Sequence, residues 1–177
     1  MFKSIKYFFL KFKKSKQNVH DERFNFIIYP ELILISIYIT LILFAYFTND
    51  LHFFGNKTNS FFDFWSFIHI FSGATLSYTA FRLRDFNISN PILFIMFISL
   101  QWEILEMYIE QGAIFSTVSF WFGGSENFFN RFLSDQLCIL LGFLFVKLKP
   151  QLYFPFMFLT IIFVLFHIYI GSSTYLI

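Results

Sequence analysis

The chain has 177 residues, 57% of them hydrophobic and only 14% charged, with mean hydropathy +0.64 and net charge +2. Those proportions exclude an ordinary soluble domain, in which about a quarter of residues are charged. A single cysteine, Cys138, excludes an internal disulfide and leaves the redox compartment open.

Phenylalanine is the commonest bias, with 32 residues against 7 glycines. It reads first as the trace of an AT-rich genome (an endosymbiont, an organelle or a streamlined bacterium) and only second as mechanism.

Residues 1–24 read as a basic interfacial segment. On a helical wheel Phe2, Ile5, Phe8, Phe9 and Phe12 share one face, with Lys3, Lys6, Lys13 and Lys14 opposite. Such a helix lies in the plane of the membrane interface and favours anionic lipid. Its lysines run through and past the apolar run, unlike those of a signal peptide. Nucleic-acid binding is disfavoured.

Residues 25–177 predict an all-α, polytopic transmembrane bundle. Five apolar runs stand out at about Pro30–Phe47, Phe61–Phe81, Pro91–Glu110, Phe128–Val146 and Pro155–Gly171. Each approaches the roughly 20 residues that cross a ~30 Å hydrocarbon core as helix. Helical rather than alternating periodicity argues against a barrel. Pro30 beside Glu31, Pro91 and Pro155 mark helix starts. Glu31 is then a first-turn acid near the inner surface. Asn56, Asn59 and Ser60 mark an exposed turn, and the aromatic loop 111–127 is either an interface anchor or a lid.

Charge sets the orientation. Lys3, Lys6, Lys11, Lys13, Lys14, Lys16 and Arg23 precede the first span, Arg82 and Arg84 follow the second, and Lys147 and Lys149 follow the fourth. The opposite loops carry only Lys57. The positive-inside rule therefore places the N-terminus in the cytoplasm, or the matrix if organellar, and the C-terminus outside. The membrane is a bacterial cell membrane or an organelle inner membrane.

Ionisable residues interrupt three spans: His69 in the second, Glu103 and Glu106 in the third, Arg131 and Asp135 in the fourth. A charge at the bilayer centre costs roughly 2.5 kcal/mol or more, so these residues face partners or a wet cavity. With alternating spans, His69, Glu103 and Asp135 lie at one depth, about 10–12 Å below the outer boundary at 1.5 Å per residue. Asp63 and Glu110 fall at the rim. Facing agrees with depth. Asp63, Ser66, His69, Gly73, Ser77 and Ala80 share one arc of their helix; Ser99, Glu103, Glu106 and Glu110 share another. Asn127, Arg131, Asp135, Cys138 and Gly142 share a third, and the small residues allow close approach.

Two readings of this cluster stay open. Arg131 can pair with Glu103 or Asp135, with His69 satisfying what remains, in a network that only holds the bundle in register. Alternatively, His69, Glu103, Glu106 and Asp135 form a catalytic or divalent-cation site, because carboxylates in excess of one arginine suit a cation or proton transfer. A haem between His69 and His167 is disfavoured, and Trp102 reads as packing. No Gly-rich phosphate loop, CxxC, HExxH or GxSxG pattern appears.

The order His69 and Gly73, then Trp102, Glu103 and Glu106, then Glu126, Asn130, Asp135 and Gly142 resembles the VanZ-like (teicoplanin-resistance) family. It is also similar to a related proteobacterial family of unknown function. Both have an HxxxG helix, a WExxE helix, then an acid, an asparagine and an aspartate ahead of a glycine. The resemblance covers about residues 61–147. It implies a cell-membrane protein acting on envelope lipids or their lipid-linked precursors; beside the candidate site, Arg131, Ser66, Asn130 and Glu126 read as substrate-binding groups or charge partners. One departure stands out: the step from Asn130 to Asp135 is five residues where the pattern has four. Ser66, His69, Ser72 and Gly73 also resemble the first span of the succinate dehydrogenase cytochrome anchor, but Ile70 replaces its arginine. The competing class is a non-catalytic structural or accessory subunit of a larger membrane complex, with membrane-protein partners.

Overall fold

A computed structural model of the chain describes residues 23–85, 91–114, 122 and 125–170. Of the interfacial segment read in residues 1–24, residues 1–22 lie outside them and the last two belong to the first helix; most of the lid or anchor read in 111–127 also lies outside them.

Five α-helices run among the described residues: α1 (Arg23–Thr48), α2 (Ser66–Asp85), α3 (Pro91–Glu110), α4 (Asp135–Leu148) and α5 (Tyr153–Ile170). By length and composition, three segments can cross a membrane: Pro30–Thr48, Ile92–Glu110 and Pro150–Tyr169. These belong to the outer helices. Most of their positions point outward: none of Pro150–Tyr169 is buried, and on α1 the inward positions form one stripe. On α1 the stripe is Glu31, Ile35, Tyr38, Ile42 and Ala45, spaced four, three, four and three. That spacing is a seam for one neighbouring helix. Between its positions Phe44 and Phe47 are 68% and 80% exposed, which suits lipid and not water.

α2 and α4 occupy the centre. α4 is the most enclosed element, packed against α1, α2 and α3, while α2 also carries α3 and α5. Contacts advance in step along the central pair. Asn130 meets Asp63, Asp135 meets His69, Ile139 meets Gly73, and Gly142 lies against Ile70 and Ala74. The two helices are therefore parallel. Lys147 pairs with Glu31 at one end of α1, and Tyr153 stacks on Tyr78 while His167 meets Trp65. α1 and α5 thus run antiparallel to their neighbours.

Several boundaries differ from the sequence reading. The second run does not begin helical at Phe61. Ser60–Phe62 pairs in parallel with His52–Phe54, and helix starts only at Ser66. The cause is a reciprocal cap: the Ser66 N–H donates to Asp63 Oδ1 (3.0 Å) and the Asp63 N–H donates to Ser66 Oγ (3.1 Å). Pro30 lies inside α1, not at its first turn, and Glu31 is accordingly no helix-start acid. It is buried against Lys147. The fourth run is two pieces, a π-helical turn at Asn130–Ser134 leading into α4. Ser60, read as exposed, is buried, whereas Asn56 and Asn59 are exposed.

Candidate functional site

The polar residues gather where α2, α3 and the π turn meet. Asn127 prepares that turn: its Oδ1 accepts the N–H groups of Phe129 (2.7 Å) and Asn130 (3.2 Å). The Asn127 amide also anchors the Ser60–Phe62 strand by donating to the Ser60 carbonyl at 2.6 Å. The turn then closes with the Asp135 N–H donating to the Asn130 carbonyl, five residues back. A π turn holds one residue more than an α turn, so Asn130 and Asp135 both face α2 across a five-residue step. Asn130 donates from Nδ2 to Asp63 Oδ2 (3.1 Å), and Asp135 reaches His69.

His69 stands between two carboxylates. Its Nδ1 is 3.6 Å from Glu103 Oε1 and its Nε2 is 3.5 Å from Asp135 Oδ2. Glu103 and Asp135 are each 1% exposed. Neither oxygen of Glu103 receives a hydrogen bond, and Asp135 Oδ1 receives none. One ligand atom from each of the three residues lies within 4.8 Å of the others.

Above them sits a second set that is tightly paired. Arg131 Nη2 donates to Glu110 Oε2 at 2.5 Å and lies 3.1 Å from Glu126 Oε2. Its Nη1 donates to the backbone carbonyl of Glu103 (3.0 Å) and stands 3.7 Å from that residue's Oε2. Lys57 Nζ donates to Glu110 Oε1 (2.6 Å) and to the Phe122 carbonyl. Glu110 Oε2 also accepts the Glu126 N–H at 3.1 Å. Burial pushes the Glu126 carboxyl up to about 8, against the downward pull of the neighbouring Arg131 charge.

The structure thus brings His69, Glu103 and Asp135 together, and separates Glu106 from them. Glu106 groups with Glu110 and Glu126 instead. The expected four-residue cation set divides because Glu106 is one turn further along α3, level with Arg131. Arg131 pairs with Glu110 and Glu126, with Glu103 further off, and not with Asp135. Asp63 and Glu110 are buried participants rather than rim groups, and the loop residue Lys57 is buried with them, because the loop before Ser60–Phe62 folds over the end of the bundle. The signal for Glu110 was its place on the arc of Glu103 and Glu106. That for Lys57 was its isolation as the one basic residue of the outer loops.

A cavity of about 600 Å³ opens beside these groups, between α3 and α5, with α2 as its floor. His69, Glu103, Glu106, Glu126 and Asp63 line one end. Leu76, Ile98, Ile139 and Val164 line the rest, with the hydroxyls of Ser72, Thr75, Ser99 and Thr160 among them. His167 borders it too, edge-on to Trp65 at 4.6 Å rather than paired with His69. Trp102 is 51% exposed on the cavity edge, so it is no core packing residue.

No protein-family model, curated protein or solved structure matches the chain.

Proposed function

We propose that the chain is a five-span protein of a bacterial cell membrane or organelle inner membrane, related to the VanZ-like group. Its cavity takes up an amphiphile, an envelope lipid or lipid-linked precursor, and presents the head to His69, Glu103 and Glu106, with Asp135 held against His69. The observation that carries this reading is the cavity's division into an acid- and histidine-lined end and a mostly apolar remainder. A lipid has that same division, and burial of its chain against Leu76 and Val164 would contribute roughly 0.8 kcal/mol per methylene. α3 and α5 form the two sides of the cavity, and both turn apolar side chains outward. An opening between two lipid-facing helices lets a substrate enter sideways from the bilayer. α2 and α4 cross as central spans, their polar residues turned to one another.

In this role His69, flanked by two carboxylates, is placed to move a proton at the head group, and Glu106 and Glu126 border the same space. The network of Lys57, Arg131, Glu110 and Glu126 favours a second reading, a scaffolding subunit, since closed ion pairs need no substrate.

The test uses the full chain in lipid nanodiscs containing a photoactivatable phospholipid. Crosslinks in peptides carrying Trp65, Thr160 and Val164, removed by filling the cavity with Thr160→Trp, support the amphiphile reading. Labelling confined to α1, or unchanged in Thr160→Trp, overturns it and leaves the scaffold.

A further inference from the structure

Six carboxyls crowd this end of the bundle among the described residues: Asp63, Glu103, Glu106, Glu110, Glu126 and Asp135. Two fixed cations, Lys57 and Arg131, stand among them. How those cations are spent divides the acids. Glu110 receives both, and Glu126 shares Arg131. Asp63 is held by Ser66 and Asn130. The His69, Glu103 and Asp135 group has no such provision. Arg131 touches it only at 3.7 Å, and three carboxylate oxygens there are buried without a hydrogen bond.

A buried carboxylate without partners is costly, and proteins compensate such groups with a cation or a proton. Here a histidine accompanies the two acids, and all three present a ligand atom within 4.8 Å of each other. Metal–ligand bonds of 2.0–2.2 Å in a tetrahedron set ligand atoms roughly 3.4 Å apart, so closure needs side-chain shifts of about 1 Å. The histidine is half-buried and faces the cavity, which leaves room for a further ligand.

We propose that His69, Glu103 and Asp135 bind one divalent transition-metal ion, of the zinc, manganese or ferrous class, with an open coordination position toward the cavity. One imidazole with two carboxylates selects this class over calcium, which takes six to eight oxygens, and over magnesium, which keeps most of its water. Three protein ligands and an open position are the arrangement of a catalytic rather than a structural metal. The ion faces the head of the amphiphile and can polarise an ester, phosphate or amide oxygen there. That consequence rests on the cavity reading; the metal site rests on the three side chains alone.

The experiment measures metal on the purified full chain in detergent, stripped with chelator and titrated with Zn²⁺ or Mn²⁺. Co²⁺ serves as a spectroscopic probe. The expected result is one equivalent per chain, a rise in melting temperature on binding, and a visible d–d band with Co²⁺. Affinity should fall more than ~100-fold in His69→Ala and Asp135→Asn, beyond the 10–100-fold that loss of an outer partner costs. Glu106→Gln should keep the stoichiometry. Melting of the metal-free variants at or above the metal-free wild type shows that they are folded. Failure to bind an equivalent overturns the site, as does binding unchanged in His69→Ala or lost only in Glu106→Gln. Lipid crosslinking without metal sinks this proposal alone, and metal without lipid crosslinking sinks the amphiphile reading alone.

Discussion

Gly73 and Gly142 make the central crossing so close that a methyl group on either would overlap backbone of the other helix. A Cβ on Gly73 meets the Ile139 carbonyl, and one on Gly142 meets the Ile70 carbonyl. His69 is one turn before Gly73, and Asp135 two turns before Gly142. The crossing therefore sets the distance between the imidazole and its carboxylate. Gly73→Ala and Gly142→Ala should each cost at least ~1–3 kcal/mol, the usual price of overpacking, because backbone cannot yield as a side chain can. Gly55→Ala, whose added methyl would sit 3.7 Å from Ser60, should be near neutral. Thermal melting in detergent distinguishes the three; equal melting of all would refute the close crossing.

Arg131 and Glu110 anchor the paired half of the cluster. Removing Arg131 takes a cation from the buried Glu110 carboxylate, so Arg131→Leu should destabilise by about 3–5 kcal/mol. Glu110→Ala deprives Lys57, Arg131 and the Glu126 N–H together and should be comparably severe. Glu106→Ala should be mild, since no ion pair of Glu106 ties these groups. Denaturation of the three variants in one detergent tests the order.

Much of this was legible from hydrophobic runs and helical facing. The depth of His69, Glu103 and Asp135 follows from counting residues along alternating spans, and the glycines on those faces signalled the close crossing. What could not be read was non-helical. The strand Ser60–Phe62 is apolar enough to pass as the start of a span, and only its pairing with His52–Phe54 reveals it. The π turn hid in the same way. A five-residue step from Asn130 to Asp135 spoils a strict 100° wheel, yet the extra residue in that turn restores the shared face. Lys57 and Glu110 lie at loop and helix ends, where composition cannot separate a solvated charge from a buried pair.

Glu126 makes stability depend on pH. Its folded-state value of about 8 lies above the ordinary 4.5, with burial as the main cause. Between those values the folded chain holds a proton that the unfolded chain has released. Stability should fall as pH rises through that window, by at most ~1.4 kcal/mol per pH unit for one proton. Glu126→Gln should flatten this slope and raise melting above pH 8. A slope unchanged in that variant assigns the proton elsewhere.

Orientation is tested at two exposed positions, Thr58 and Lys149, at opposite ends of the bundle. In a Cys138→Ser background, Thr58→Cys should react with an impermeant maleimide on intact cells, and Lys149→Cys only after permeabilisation. In the five-span reading of the sequence, eleven of the thirteen basic residues share the side of Lys149, which the positive-inside rule places in the cytoplasm or matrix. The reverse pattern inverts the topology and turns the cavity's acidic end inward.

Glu103 separates chemistry from scaffolding. Its two carboxylate oxygens accept no hydrogen bond among the described residues and meet charge only at 3.6–3.7 Å, so Glu103→Gln breaks no hydrogen bond and keeps side-chain volume. Folding should survive: melting should match or exceed that of the metal-free wild type, because a neutral amide is cheaper to bury than a carboxylate. The same change removes the charge beside His69 and one ligand of the proposed metal. Metal occupancy should drop, and whatever growth or envelope defect follows deletion should not be rescued by the variant. A scaffold predicts the opposite pairing, a stable Glu103→Gln protein that complements fully. Complementation and melting measured on the same variant decide between the two, because only the site reading couples an intact fold to lost function.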